Sequence, residues 1–277
     1  MKLGIDLGGT NIRFGLVRDG RVAEGFSVPS FPKEATLEET LGYLTANIRK
    51  LVAGRPFEGI GIGVPSVVDC EKGIVYDTVN IPCWKEVHLG EILRAEFGVP
   101  VQVNNDANCF TLGAYHYFGC ELPSFVGMTL GTGVGTGVIV DGRLFSGRRT
   151  GVGELGCIPW EDADLETTCC SKFFLRHGTT GREAAEKAAA GDPAAGALWA
   201  EYGRNLGRMV SIAMYAYDPD MIVFGGGIAA SWPLFQDDLW TYLHENHQYG
   251  KAVSDLRIDV LTGDDVGTVG AAYLVSQ

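Results

Sequence analysis

Residues 9–22 read Gly-Thr-Asn-Ile-Arg-Phe-Gly-Leu-Val-Arg-Asp-Gly-Arg-Val, and residues 131–144 read Gly-Thr-Gly-Val-Gly-Thr-Gly-Val-Ile-Val-Asp-Gly-Arg-Leu. The two stretches align without a gap. Gly9 matches Gly131, Thr10 matches Thr132, Gly15 matches Gly137, and Asp19-Gly20-Arg21 matches Asp141-Gly142-Arg143. Each stretch follows a short apolar run, at residues 2–7 and 126–130, and runs into a second one. Asp-Gly between two such runs is a strong signal for a tight hairpin, because both turn residues must take positive φ. Each copy therefore reads as strand, Gly-Thr hairpin, strand, Asp-Gly hairpin. Two halves that open in the same way predict a duplicated α/β fold.

A loop that touches phosphate needs backbone N–H groups with no side chain in the way, and Thr or Asn nearby to add donors. Gly8, Gly9, Thr10 and Asn11 meet this description in the first loop, and Gly131, Thr132 and Gly133 in the second. A third cluster, Gly225-Gly226-Gly227, follows the apolar run at 221–224 and would let an adenosine lie flat against the backbone. Taken singly, each also reads as a plain turn. Two rival nucleotide loops fail on spacing. No G-x-x-x-x-G-K-[ST] occurs, and the glycines at 131, 133, 135 and 137 lead into a strand rather than a helix, unlike a dinucleotide-binding loop.

The rest of the chain supports an α/β reading. Strands are predicted at 12–17, 21–28, 60–64, 101–103, 137–140, 221–224 and 257–261. Helices are predicted at 87–97, 107–118, 184–190, 193–217, 235–245 and 266–275. Thr36 followed by Glu39 forms a capping box for a helix reaching about residue 52. With 277 residues, two domains are expected. The net charge of −12 argues against a nucleic-acid partner, which needs clustered Lys and Arg. No apolar run is long enough to span a bilayer, and the first residues lack the apolar core of a signal peptide. A soluble, cytoplasmic protein with no membrane partner is expected. The seven cysteines lack regular spacing and read as reduced, mostly buried thiols.

Two carboxylates stand out. Asp106 follows the strand at 101–103 and opens a helix, where it could accept a proton from a substrate hydroxyl; the competing reading is a simple helix cap. Asp6 ends a buried strand beside the first glycine loop, a costly place for a charge unless a cation or hydrogen-bond donors meet it. Its competing reading is a local turn.

Seven ordered motifs then carry a resemblance: DLGGTNIRFGLV at 6–17, GIGVPSVVD at 61–69, NIPCW at 80–84, NNDAN at 104–108, LGTGVGTGVIVDG at 130–142, GELG at 153–156 and DPDMIVFGGGI at 218–228. In this order they resemble the ROK family of bacterial sugar kinases and related repressors, which shares the actin, Hsp70 and hexokinase ATPase fold. The resemblance implies a duplicated, ribonuclease H-like α/β fold with two lobes around a nucleotide and sugar cleft. The smaller lobe would span 1–107, closed by a C-terminal helix in 263–277, and the larger 108–262. It implies an ATP-dependent hexose kinase acting on the 6-hydroxyl. Glucose is the default substrate, with allose, mannose, fructose and N-acetylmannosamine open. Asp106 would be the base and Asp6 would order Mg2+ through water. The sugar would meet Ser66, Asn80, Asn105, Asp106, Glu154 and Glu166, and ATP the three glycine clusters. A non-catalytic sugar-binding protein is the alternative of another class. A repressor would carry a helix-turn-helix before the first strand, which here begins at Lys2. A homodimer is left open.

The chain departs from the family after GELG. Most members carry His there, then a Cys-x-Cys-Gly-x-x-Gly-Cys segment that binds structural zinc. Here Cys157 takes the His position, and Cys169 and Cys170 do not reproduce the ligand spacing, so no structural zinc is expected. Leu165-Glu166 aligns with the family's Leu-Glu. His244 and His247 are expected on a helix surface.

Overall fold

The two glycine hairpins head two separate units in the computed structural model, which describes residues 1–119, 121–147 and 150–277. Cys120 lies outside the described residues. One unit comprises Met1–Glu121, Gly142–Val152 and Gly263–Gln277, the other Leu122–Asp141 and Gly153–Thr262.

The first unit opens with β1 (Lys2–Leu7), β2 (Asn11–Arg18) and β3 (Arg21–Pro29), followed by helix α1 (Leu37–Val52) and β4 (Ile60–Val64). Thr36 caps α1 in the predicted box with Glu39. Next come three short strands, β5 (Val67–Asp69), β6 (Ile74–Tyr76) and β7 (Glu86–Val87). Helix α2 (Leu89–Phe97), β8 (Val101–Asn105) and α3 (Asp106–Tyr117) complete the run. The main sheet has the order β3-β2-β1-β4-β8, with β1, β4 and β8 parallel. Successive residues of β1 face opposite sides. Leu3, Ile5 and Leu7 pack into one core with Leu44, Ile48 and Leu51 of α1. Gly4 faces the other way. A Cβ there would meet the backbone of Thr268 and Ala272 in the C-terminal helix Val266–Tyr273, and one on Gly61 would meet Ala271. These glycines let that helix lie directly on the sheet. Helix α3 touches it just as closely, since Gly113 abuts Val266 and Gly270 abuts Cys109. The domain boundary expected after residue 107 falls inside α3, whose contacts keep it with the first unit.

The second unit repeats the plan. β9 (Ser124–Leu130) and β10 (Val134–Val140) are antiparallel, and β9 pairs in parallel with the strand Met221–Gly225, itself parallel to Arg257–Val260. Asp19-Gly20 and Asp141-Gly142 all have positive φ, as the hairpin reading requires. The matched loops differ by one residue: Leu7 pairs with Ile12, whereas Leu130 pairs with Val134. Trp199 and Tyr202 of the long helix Pro193–Tyr217 pack against Phe174 and Phe235 in the core.

Several local expectations change. Helix α2 starts at Leu89 rather than 87, because Val87 pairs with Val75 across a small sheet. A two-strand hairpin, Pro159–Trp160 with Ala163–Asp164, and the helices Leu165–Cys169 and Ser171–Arg176 occupy a stretch where no elements were predicted. His247 is buried just beyond its helix, with Nδ1 2.8 Å from Ser211 Oγ and its ring stacked on Tyr215, whereas His244 is exposed. Among the described residues, no helix is long and apolar enough to cross a membrane.

Candidate active site

In the first unit the candidate residues gather at the C-terminal ends of β1, β4 and β8. Strand register sets Asp6 beside Gly63, Gly63 beside Asn104, and Val64 beside Asn105. Open parallel sheets commonly bind ligands at such strand ends. Gly63 permits the close approach of α3, because a Cβ there would lie 3.0 Å from Cys109 Sγ and 3.4 Å from Asp106 Cα. Burial pushes the Cys109 thiol well up, and the nearby Asp6 and Asp106 carboxylates push it further.

The helix cap is Asn105, not Asp106. Asn105 Oδ1 accepts from Ala107 N–H at 2.9 Å, and Asp106, the first helical residue, also accepts from that N–H through Oδ1 at 2.9 Å. Asn105 Nδ2 donates to the Ser66 carbonyl at 3.3 Å, while the Ser66 hydroxyl donates to the Tyr76 carbonyl. Beneath them lies a buried polar group that the motif reading did not single out. Asn104 Oδ1 accepts from Asn105 N–H at 2.8 Å and from Asn108 Nδ2 at 2.9 Å, and Asn104 Nδ2 donates to Ser146 Oγ at 3.0 Å. The repeated Asn four residues apart, spanning a strand end and a helix start, is the only sequence signal of this support.

Asp6 is held from two sides. Arg13 Nη1 stands 3.5 Å from Oδ2, and a Cβ on Gly267 of the C-terminal helix would lie 3.2 Å from the carboxyl carbon. Burial raises the Asp6 carboxyl above the usual range, and Arg13 opposes this by a smaller amount. In the adjoining loop Gly8 N–H donates to the Asn11 carbonyl at 3.0 Å, and Ser30 N–H donates to the Thr10 carbonyl at 2.8 Å. A Cβ on Gly9 would sit 3.0 Å from Asn80 Nδ2, so Asn80 reaches the first glycine loop. Gly9, Thr10, Asn11 and Asn80 are exposed.

The second unit holds the other glycine clusters side by side. Gly225 pairs with Thr129, and Ile228 N–H donates to the Leu130 carbonyl at 3.1 Å. Gly226 has φ +85°, and its missing Cβ leaves room for the Leu130 backbone. Gly131 N–H donates to the Gly133 carbonyl at 3.0 Å, and Ser171 N–H donates to the Gly131 carbonyl at 2.9 Å. Glu154 is exposed, and its Oε2 lies 3.7 Å from the Cys157 thiol. Burial and then the Glu154 carboxylate raise the Cys157 thiol, with Glu166 and Asp164 adding to the effect. Glu166 lies against the second glycine loop. Its Oε2 accepts from Val134 N–H at 3.2 Å, and its Oε1 pairs with Lys172. Among the described residues, no three His, Cys, Asp or Glu side chains are placed to hold a metal ion.

The arrangement in the first unit offers two carboxylates, amides and an exposed glycine loop at the ends of three parallel strands. The second offers two adjoining glycine turns and two carboxylates. Comparison with known proteins gives this pattern a context. The family model described as the ROK family matches residues 2–173 and 175–277. An N-acetyl-D-glucosamine kinase of Aliivibrio salmonicida (strain LFI1238) is 31% identical over 307 residues, covering 99% of each chain. A beta-glucoside kinase of Klebsiella pneumoniae is 28% identical over 296 residues, covering 98% of this chain and 95% of the other. The structure of a ROK family glucokinase from Streptomyces griseus, in complex with glucose and AMPPNP, superposes with a TM-score of 0.80 at 25% identity, covering 99% of this chain and 98% of that one.

Proposed function

Since this chain belongs to the ROK family, we propose that it is an ATP-dependent sugar kinase that transfers the γ-phosphate to the 6-hydroxyl of a hexose. Glucose is the first substrate to test. The observation that carries the reading is the gathering of Asp6, Asn105 and Asp106 at the ends of three parallel strands, next to the Gly8–Asn11 loop. The kinases among its relatives, and the ATP analogue in one of their structures, support the same chemistry.

Phosphoryl transfer needs an aligned hydroxyl, a proton acceptor and offset phosphate charge. Asp106 accepts the proton of the sugar 6-hydroxyl as that oxygen bonds to the γ-phosphorus and the bond to the β-phosphate oxygen breaks. Asn105, Asn80 and the Ser66 region hold hydroxyls in the first unit, and Glu154 and Glu166 hold them in the second. Sugar hydroxyls both donate and accept, so amides and carboxylates suit them. Backbone N–H groups of the two hairpin loops face phosphate oxygens, and Gly225-Gly226-Gly227 receives the adenosine. A chain with net charge −12 can bind ATP this way, because the donors are backbone dipoles rather than a basic surface. Asp6 fits Mg2+, which takes oxygen ligands and keeps several waters, so one carboxylate with water and phosphate suffices. Bound there, the ion would offset charge on the phosphates.

ADP release should be followed with ATP, Mg2+ and a sugar panel: glucose, N-acetylglucosamine, allose, mannose, fructose, N-acetylmannosamine and an aryl β-glucoside. Turnover is expected with at least one. Sugar binding without turnover of any member would replace the kinase with a non-catalytic sugar-binding protein.

A further inference from the structure

Glu166 enters the proposed site as a sugar contact, yet its carboxylate is packed into the nucleotide side. Oε2 accepts from Val134 N–H at 3.2 Å, immediately after the Gly131-Thr132-Gly133 turn. A Cβ on Gly133 would lie 2.6 Å from that same oxygen and 3.2 Å from the carboxyl carbon. A methyl at 133 would therefore push this carboxylate out of its place on the loop. Lys172 Nζ pairs with Oε1, and at the root of the side chain a Cβ on Gly156 would lie 3.3 Å from Glu166 Cβ. Gly156 belongs to the turn that carries Glu154 and Cys157. One carboxylate thus spans from the Glu154 turn to the second glycine loop, all within the second unit.

We propose that Glu166 is the positioning residue that couples the two substrates: the carboxylate that receives a sugar hydroxyl also sets the second phosphate loop. This deepens the kinase reading above and rests on it. A sugar that orders Glu166 fixes the Val134 N–H and the turn before it, so nucleotide then meets a loop already in place. Linkage makes the effect reciprocal, and nucleotide tightens sugar binding by the same factor. The requirement for glycine at 133 follows from the same geometry. It keeps space for Glu166 as well as for phosphate.

Calorimetry with AMPPNP and glucose, or the best panel sugar if glucose is not turned over, tests this on the intact chain. In the wild type, saturating sugar should tighten AMPPNP binding by on the order of 10-fold. Gly133→Ala should weaken sugar binding by about 10-fold with no nucleotide present, because its methyl displaces a carboxylate that makes a charge-assisted hydrogen bond. Gly131→Ala alters the same loop, but a Cβ there meets nothing within 4 Å. Its sugar affinity without nucleotide should match the wild type. Lys172→Met guards against a folding defect in the glycine variants, since Lys172 is half exposed. It should leave melting unchanged and reduce the sugar–nucleotide coupling. The coupling role is overturned if Gly133→Ala and Gly131→Ala bind sugar equally, or if Lys172→Met keeps the full wild-type coupling. If the wild type neither binds nor phosphorylates any panel sugar, the kinase reading itself fails, an outcome distinct from the other two.

Discussion

Asp106→Asn separates chemistry from structure at the proposed base. The amide has nearly the same shape as the carboxylate, and its oxygen can still accept from Ala107 N–H, where Asp106 Oδ1 now accepts at 2.9 Å. The helix cap, Asn105, is untouched. The structural loss is one negative charge in the first turn of α3, worth about 0.3–1 kcal/mol. For a chain of this size that corresponds to a fall in Tm of about 1–4 °C. The chemical loss is larger. An amide cannot take the hydroxyl proton, and positioned general bases contribute roughly 10²–10⁴-fold, or about 3–5 kcal/mol of barrier. The expected result is a kcat lower by about that factor, a sugar KM within a few-fold of wild type, and a nearly unchanged melting curve. Coupled ADP-release kinetics and differential scanning calorimetry read the two quantities separately. A kcat within threefold of wild type would remove Asp106 from the mechanism. A collapse of Tm with equal loss of sugar binding would make the residue structural instead.

Three further outcomes follow from other groups. Burial raises the Asp6 carboxyl, so its favourable contribution is fully present below the unfolded value and is lost as pH rises through the raised folded one. Asp6→Asn should therefore raise Tm at pH 7 while cutting activity with Mg-ATP on the order of 100-fold or more; a lower Tm would contradict the burial argument. His116 stacks on Tyr273 with ring centroids 3.4 Å apart, and burial, aided by Lys2, lowers its pKa to about 4. Stability that depends on the neutral ring is present above the usual imidazole value of about 6.5 and is lost as pH falls through the folded value. Melting curves of His116→Gln should lose less Tm than wild type between neutral pH and pH about 4.5, and parallel losses would rule His116 out as the cause. Cys157, Cys169 and Cys170 do not reproduce the spacing of a four-ligand zinc site, and among the described residues no three His, Cys, Asp or Glu side chains are placed to hold a metal. Metal analysis should find substoichiometric zinc, and stoichiometric zinc would refute the metal-free reading of this segment.

The parts of this protein that were legible in its sequence are those decided within a few residues. Asp19-Gly20 and Asp141-Gly142 form the expected turns because positive φ is a property of those residues themselves. Thr36 and Glu39 close a capping box because both partners lie in one helical turn. The gapless repeat announced two hairpins that open two similar sheets, and the sheets have the same strand pattern. Asp6 and Asp106 could be singled out because each carboxylate lies at the end of a buried strand. Their shared neighbourhood could not, because it depends on the pairing of β1, β4 and β8 and on Gly63 admitting α3. His247 shows the same limit. Its spacing from His244 suggested a surface, but Ser211 and Tyr215, from a helix more than thirty residues earlier, enclose it. Glu166 is the clearest case. The motif marked it as a sugar ligand, and only the packing of its short helix against the Gly131–Gly133 turn put its carboxylate on Val134 N–H. Turns and caps are settled by local backbone energetics, so the chain itself determined where the hairpins lie. Contacts between distant segments depend on how whole elements pack, so tertiary structure alone decided which carboxylates meet which loops.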